Sequence, residues 1–261
     1  MSGSSRRAAS AAALTFRSNY GALAGMTGRG TERSGPISRR QLLATLGAVG
    51  AGRVAGLPRA NAGRLGPIGV QLYTVRTLLE KDFGGTLAAL AAIGFREVEF
   101  AGYHGRPPEA VRDALDRAGL VAPAAHVPID AVRDDLPRVL DAARLIGHRY
   151  LVVPSIPEGQ HTTDGYRAVA DLLNRAGQRV RDSGMQLAYH NHAFEFAALD
   201  GRVPYDILLE RCAERLVAFE MDLYWITKGG GNPGRYFARW PGRFPLVHVK
   251  DSAGAPEHRM V

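Results

Sequence analysis

From Gly63 onward the chain repeats one junction: a segment with helical spacing closes on a glycine, and a short apolar, β-prone run follows within a few residues. Gly94 precedes Phe95–Phe100, Gly119 precedes Leu120–His126, Gly147 precedes the run 150–153, and Gly184 precedes Met185–His190. Glycine just past a helix end takes the left-handed backbone that other residues adopt only at a cost, so each marks a helix-to-strand passage. The preceding segments carry one apolar face each: Leu87, Leu90 and Ala91; Val111, Leu115 and Ala118; Leu136, Val139, Leu140 and Ala143; Leu172, Ala176 and Val180. Pro107-Pro108-Glu109 and Thr163-Asp164 signal helix starts.

Adding Ile68–Val75 at the front and Val217–Leu223 and Pro245–Val249 at the back gives seven expected strands alternating with six helices, the pattern of a parallel α/β sheet. A doubly wound sheet alternates in the same way. The first strand, however, runs through Val70-Gln71-Leu72-Tyr73-Thr74-Val75-Arg76 without a G-x-G-x-x-G phosphate loop. The expected fold is therefore a (β/α)8 TIM-type barrel, incomplete at about seven strands. Only residues 251–261 follow the seventh, too few for another βα unit, which needs about 30 residues. The expectation is a C-terminally truncated form of a longer enzyme, with open strand edges that favour self-association.

Residues 1–62 read differently. They hold nine arginines and a single acid, Glu32, and carry the order Arg39-Arg40, a weakly apolar run to Leu57, and Ala60-Asn61-Ala62. That layout resembles a twin-arginine export signal with cleavage after Ala62, which implies an exported, periplasmic protein with 63–261 as its barrel domain. The apolar run is too short and too interrupted for stable membrane insertion. The leader also explains the net charge of +8. Without it the basic and acidic residues balance, which removes the electrostatic argument for nucleic acid and speaks against a DNA-repair endonuclease. One cysteine, Cys212, permits neither an internal disulfide nor a cysteine zinc cage.

Barrel chemistry lies at the C-terminal strand ends, and three successive ends are unusually polar. The fifth is Tyr189-His190-Asn191-His192-Ala193-Phe194-Glu195, the sixth contains Glu220-Met221-Asp222, and the seventh ends His248-Val249-Lys250-Asp251. Side chains alternate across a strand, so His190, Asp222 and His248 can face one mouth. Imidazole and carboxylate together suit a divalent Mn, Co, Zn, Mg or Fe with positions left open for substrate oxygens. Isolated histidines such as His126, His104, His148 and His161 are ordinarily hydrogen-bonded structural residues.

Tyr189–Phe196, Met221-Asp222-Leu223-Tyr224-Trp225 and Pro241–Asp251 together resemble the sugar phosphate isomerase/epimerase family with its xylose-isomerase-like barrel, over about Ile68–Ser252. In that family two glutamates, an aspartate and a histidine at the ends of strands five to eight hold a metal. The resemblance gives Asp222 the aspartate role and His248 the histidine role. His190 stands where the first glutamate would, with His192 as the competing assignment. It implies a small-molecule sugar substrate contacted by Gln71, Tyr73, His126, His192 and Trp225. Glu195, Glu220 and Lys250 are the candidate proton carriers of an enediolate mechanism. A lyase or hydrolase acting on 3-keto-glycosides would use the same metal site, and a sugar-binding homologue without activity is the non-enzymatic alternative.

Overall fold

The computed structural model describes residues 14–17 (backbone only), 68–254 and 260. Seven parallel strands form the wall: β2 (Ile68–Gln71), β3 (Glu97–Ala101), β4 (Val121–His126), β5 (Tyr150–Val153), β6 (Gln186–His190), β7 (Val217–Asp222) and β8 (Leu246–Val249). Each pairs in parallel with the next in chain order, and helices return along the outside, as alternating apolar strands and amphipathic helices require. No eighth βα unit follows β8 among the described residues, so the fold is the incomplete barrel expected.

The four junction glycines have φ of 117° (Gly94), 66° (Gly119), 92° (Gly147) and 78° (Gly184), all left-handed. The helix faces read from spacing are the ones that pack: Leu87, Leu90, Val111, Leu115, Leu136, Leu140, Ala143, Ala176 and Val180 are buried. Burying each of the larger aliphatic side chains contributes about 1.5–3 kcal/mol of transfer free energy, before the entropy of ordering the chain is deducted. Inside the barrel a small-residue layer of Ala124, Val152, Ala188, Ala218 and Leu246 sits below the polar strand ends. It forms an apolar layer beneath them.

Three expectations change. The first strand stops at Gln71, because Gln71 accepts a hydrogen bond from the Tyr73 backbone N–H and starts a 3-10 turn over Leu72–Val75. The helices number nine rather than six among the described residues, since Asp82 ends one helix and caps the next, and Asp135 with Pro137 does the same later. The gap between β2 and β8 is not open. Leu14–Arg17, within the stretch read as an unstructured leader, forms strand β1, antiparallel to both edges, with Thr15 opposite Gly69 and His248. The Arg39-Arg40 pair and Ala62 lie outside the described residues. No described helix is long and apolar enough to cross a membrane.

Candidate metal centre at the barrel mouth

Strand register assembles the site. His190 stands opposite Glu220, and Asp222 opposite His248. One oxygen or nitrogen from each of His190, Asp222 and His248 lies within 4.8 Å of the others, with all three side chains buried. Asp222 is the last residue of β7 and the N-cap of the helix Leu223–Lys228; its Oδ1 accepts from the Trp225 N–H at 2.9 Å, which aims Oδ2 at the mouth. Burial opposes the Asp222 charge, yet His190, His248 and Lys250 around it hold its carboxyl well below the usual range.

The imidazoles are equally constrained. His190 Nδ1 lies 3.2 Å from the Pro154 carbonyl, and Nε2 is 3.2 Å from Asp222 Oδ2. Burial pushes its pKa down to about 4 despite Asp222, so the ring is neutral at pH 7. A neutral ring that donates Nδ1–H to Pro154 presents a lone pair at Nε2 to an anionic oxygen. His248 Nδ1 is buried without a hydrogen-bond partner, 3.6 Å from the same Oδ2. Burial opposes a charge on His248, yet Glu220, Glu99 and Asp222 around it raise its pKa well above the ordinary value. A divalent cation would take the His190 Nε2 lone pair and, in place of a proton, His248 Nδ1 beside Asp222 Oδ2, and so would bind all three.

Beneath lies a second group, one pleat deeper on β7. His126 Nε2 is 3.0 Å from Glu99 Oε1 and 3.0 Å from Glu220 Oε2, and His248 Nε2 is 2.8 Å from Glu99 Oε2. Burial alone would push the Glu99 carboxyl up, but His126 and His248 hold it well below its ordinary value. Burial and the Glu99 charge raise Glu220.

The remaining expected residues divide. Lys250 Nζ is 2.5 Å from Asp222 Oδ2 and 5.3 Å from the Trp225 ring centre, so it borders both the ligands and the aromatic wall. His192 lies between His190 and Trp225, at 4.9 and 5.3 Å between ring centres, and burial pushes its pKa down to about 3. Gln71 is buried beside His126. Tyr73, placed in the site by position on a longer first strand, is instead 59% exposed under Arg76, because the 3-10 turn carries it outward. Glu195 is not at the mouth: the turn Phe194–Phe196 folds it into the wall, where Oε1 accepts from Tyr189 OH and Oε2 from the His192 N–H. Glu220 is in the floor, engaged by His126. Glu195 and Glu220 therefore lack the access a proton carrier needs.

Two residues were missed. Asn191 accepts from the Asp222 N–H at 3.0 Å and donates to the Asp222 carbonyl at 3.2 Å, clamping β6 to β7 at the ligand itself. Its signal was an amide between two histidines just past a strand end. Glu99, inward-facing on β3, was legible only as an acid in an otherwise buried run.

A family profile described as xylose isomerase-like TIM barrel matches residues 87–261. An inosose dehydratase of Clostridium beijerinckii is 23% identical over 193 residues, covering 66% of this chain and 64% of the relative, so the chain spans under two-thirds of that protein's length. Two sugar phosphate isomerase/epimerase structures from Parabacteroides distasonis cover 73% of the chain. One is 24% identical with a TM-score of 0.65 over 78% of its own length, and the other 27% identical with 0.63 over 82%.

Proposed function

Because the chain belongs to the xylose isomerase-like TIM barrel family, we propose that it is a divalent-metal-dependent sugar isomerase or epimerase working through an enediolate. The observation that carries this reading is the convergence of His190 Nε2 and His248 Nδ1 on Asp222 Oδ2. A cation bound there supplies Lewis acidity, polarising vicinal carbonyl and hydroxyl oxygens of a ketose, sugar phosphate or related polyol so that the carbon-bound proton beside them becomes removable. His190, Asp222 and His248 hold the position. Trp225 and His192 form the wall against which an apolar sugar face rests. Lys250 is the proton carrier: among the three candidates only its Nζ borders both the ligand carboxylate and that wall. The test is activity of the metal-loaded chain on a panel of ketoses and keto-glycosides, with product analysis. Lys250→Met should lower turnover by about 10²–10⁴-fold while bound metal stays; turnover unchanged in that variant would remove Lys250 from the mechanism.

A second reading draws on the inosose dehydratase relative: the same proton abstraction followed by loss of hydroxide, that is, a lyase. Products lighter than substrate by one water would decide for it, and isomeric products against it. Cleavage of a 3-keto-glycoside into two fragments would identify the related glycoside chemistry.

A further inference from the structure

We propose that Glu99 is a positioning residue for this centre: its carboxylate accepts the Nε2 proton of His248 and so makes Nδ1 the nitrogen that faces the cation, while a hydrogen-bond chain from a backbone amide through Gln71 and His126 converges on the same carboxylate and holds it in place. The inference rests on the reading above that His248 is a ligand.

The chain starts at Tyr73, whose backbone N–H can only donate. Gln71 Oε1 accepts it at 2.5 Å, which fixes the opposite end of that amide as the NH2 group. That group lies 3.4 Å from His126 Nδ1, which accepts and leaves the His126 ring proton on Nε2. His126 Nε2–H donates to Glu220 Oε2 at 3.0 Å, and the same nitrogen lies 3.0 Å from Glu99 Oε1 in an ion-pair contact. Glu99 turns its other oxygen to His248 Nε2 at 2.8 Å. A carboxylate only accepts, so His248 holds its proton there and its buried, unpartnered Nδ1 is the free nitrogen. The links from β2 and β4 run toward the Glu99 carboxylate on β3, and His248 on β8 donates into the same carboxylate from the other side. Glu99 and His248 are each 1% exposed, so water has no room to replace the carboxylate. An outer carboxylate of this kind fixes ring orientation and raises the basicity of the ligating nitrogen.

The experiment strips the full chain of metal and titrates it with Co²⁺, reading affinity by competition and geometry from the d–d absorption. Glu99→Gln keeps the side-chain volume but sets an NH2 group against a ring N–H. It should weaken Co²⁺ binding about 10–100-fold and alter the d–d bands, with Gln71→Leu changing both in the same direction but less. A residue that merely fills space would move neither reading, and wild-type affinity in a natively folded Glu99→Gln chain overturns the proposal. Two Co²⁺ per chain, one of them lost in Glu99→Gln, would make Glu99 a ligand and also overturn it. Should Glu99→Gln fail to fold, ¹⁵N–¹H correlation of His248 in the diamagnetic Zn²⁺ complex of the wild-type chain decides: a proton on Nε2 with Nδ1 unprotonated and metal-bound supports it, and a proton on Nδ1 refutes it. His190→Ala separates the two levels. If that variant binds Co²⁺ like wild type, the centre itself is misassigned; if it does not and Glu99→Gln does, only the positioning role falls.

Discussion

Glu195 shows how much one residue's setting changes its role. Burial pushes its pKa up to about 7 against an ordinary value of 4.5, so the folded state favours the protonated form. A raised acid contributes stability that is present at low pH and is lost as pH rises through the folded value. Between pH 4.5 and 7 this group alone should therefore erode stability by on the order of 3 kcal/mol. Urea unfolding across that window should slope downward in the wild type and more weakly in Glu195→Gln; parallel profiles would mean that Glu195 ionises freely. Cys212 is simpler. Burial beside the helix end pushes its thiol up to about 12, so it should resist thiol reagents in the native chain and react only on unfolding. Fast labelling of native protein would contradict that burial.

The elements carry the close tolerances. Gly177 lies inside the helix Thr163–Asp182, where alanine would ordinarily gain up to about 1 kcal/mol. Here an added Cβ would come within 2.6 Å of the Leu216 carbonyl. The close approach wins over propensity, and Gly177→Ala should destabilise by about 1–3 kcal/mol; a rise in Tm would show that helix and strand separate freely. Asn191→Ala should cost a similar amount by stranding the Asp222 backbone groups it pairs, and should also loosen the metal site. The strand and helix order was legible because periodicity and glycine caps are local signals. The polar pairs at three strand ends were legible for the same reason, as alternation puts them on one face. Glu99, Asn191 and the inward turn of Glu195 were not. Their roles depend on partners 149, 31 and 6 residues away, and in the last case on a short turn that spacing alone did not indicate.

At the scale of the whole molecule, the incomplete barrel is closed by β1, whose antiparallel pairing gives the β2 and β8 edges their backbone partners. An unpaired edge is a template for another chain. Removing residues 1–62, as a cleaved export signal would require, should expose both edges. The 63–261 chain should then self-associate or melt lower than the full chain in size-exclusion and thermal scans; equal behaviour of the two would mean that β1 adds nothing to the barrel.

A cation held by three side chains from three adjacent strands is the centre of the proposed chemistry. Its most direct test is elemental analysis of purified wild type beside Asp222→Asn and Cys212→Ser. Asparagine still caps the helix through Trp225 and replaces the anionic Oδ2 by an NH2 group that cannot ligate a cation, so the fold should survive. Wild type and Cys212→Ser should each hold one divalent ion per chain, with most of it lost in Asp222→Asn. Equal metal in all three would contradict a centre at Asp222.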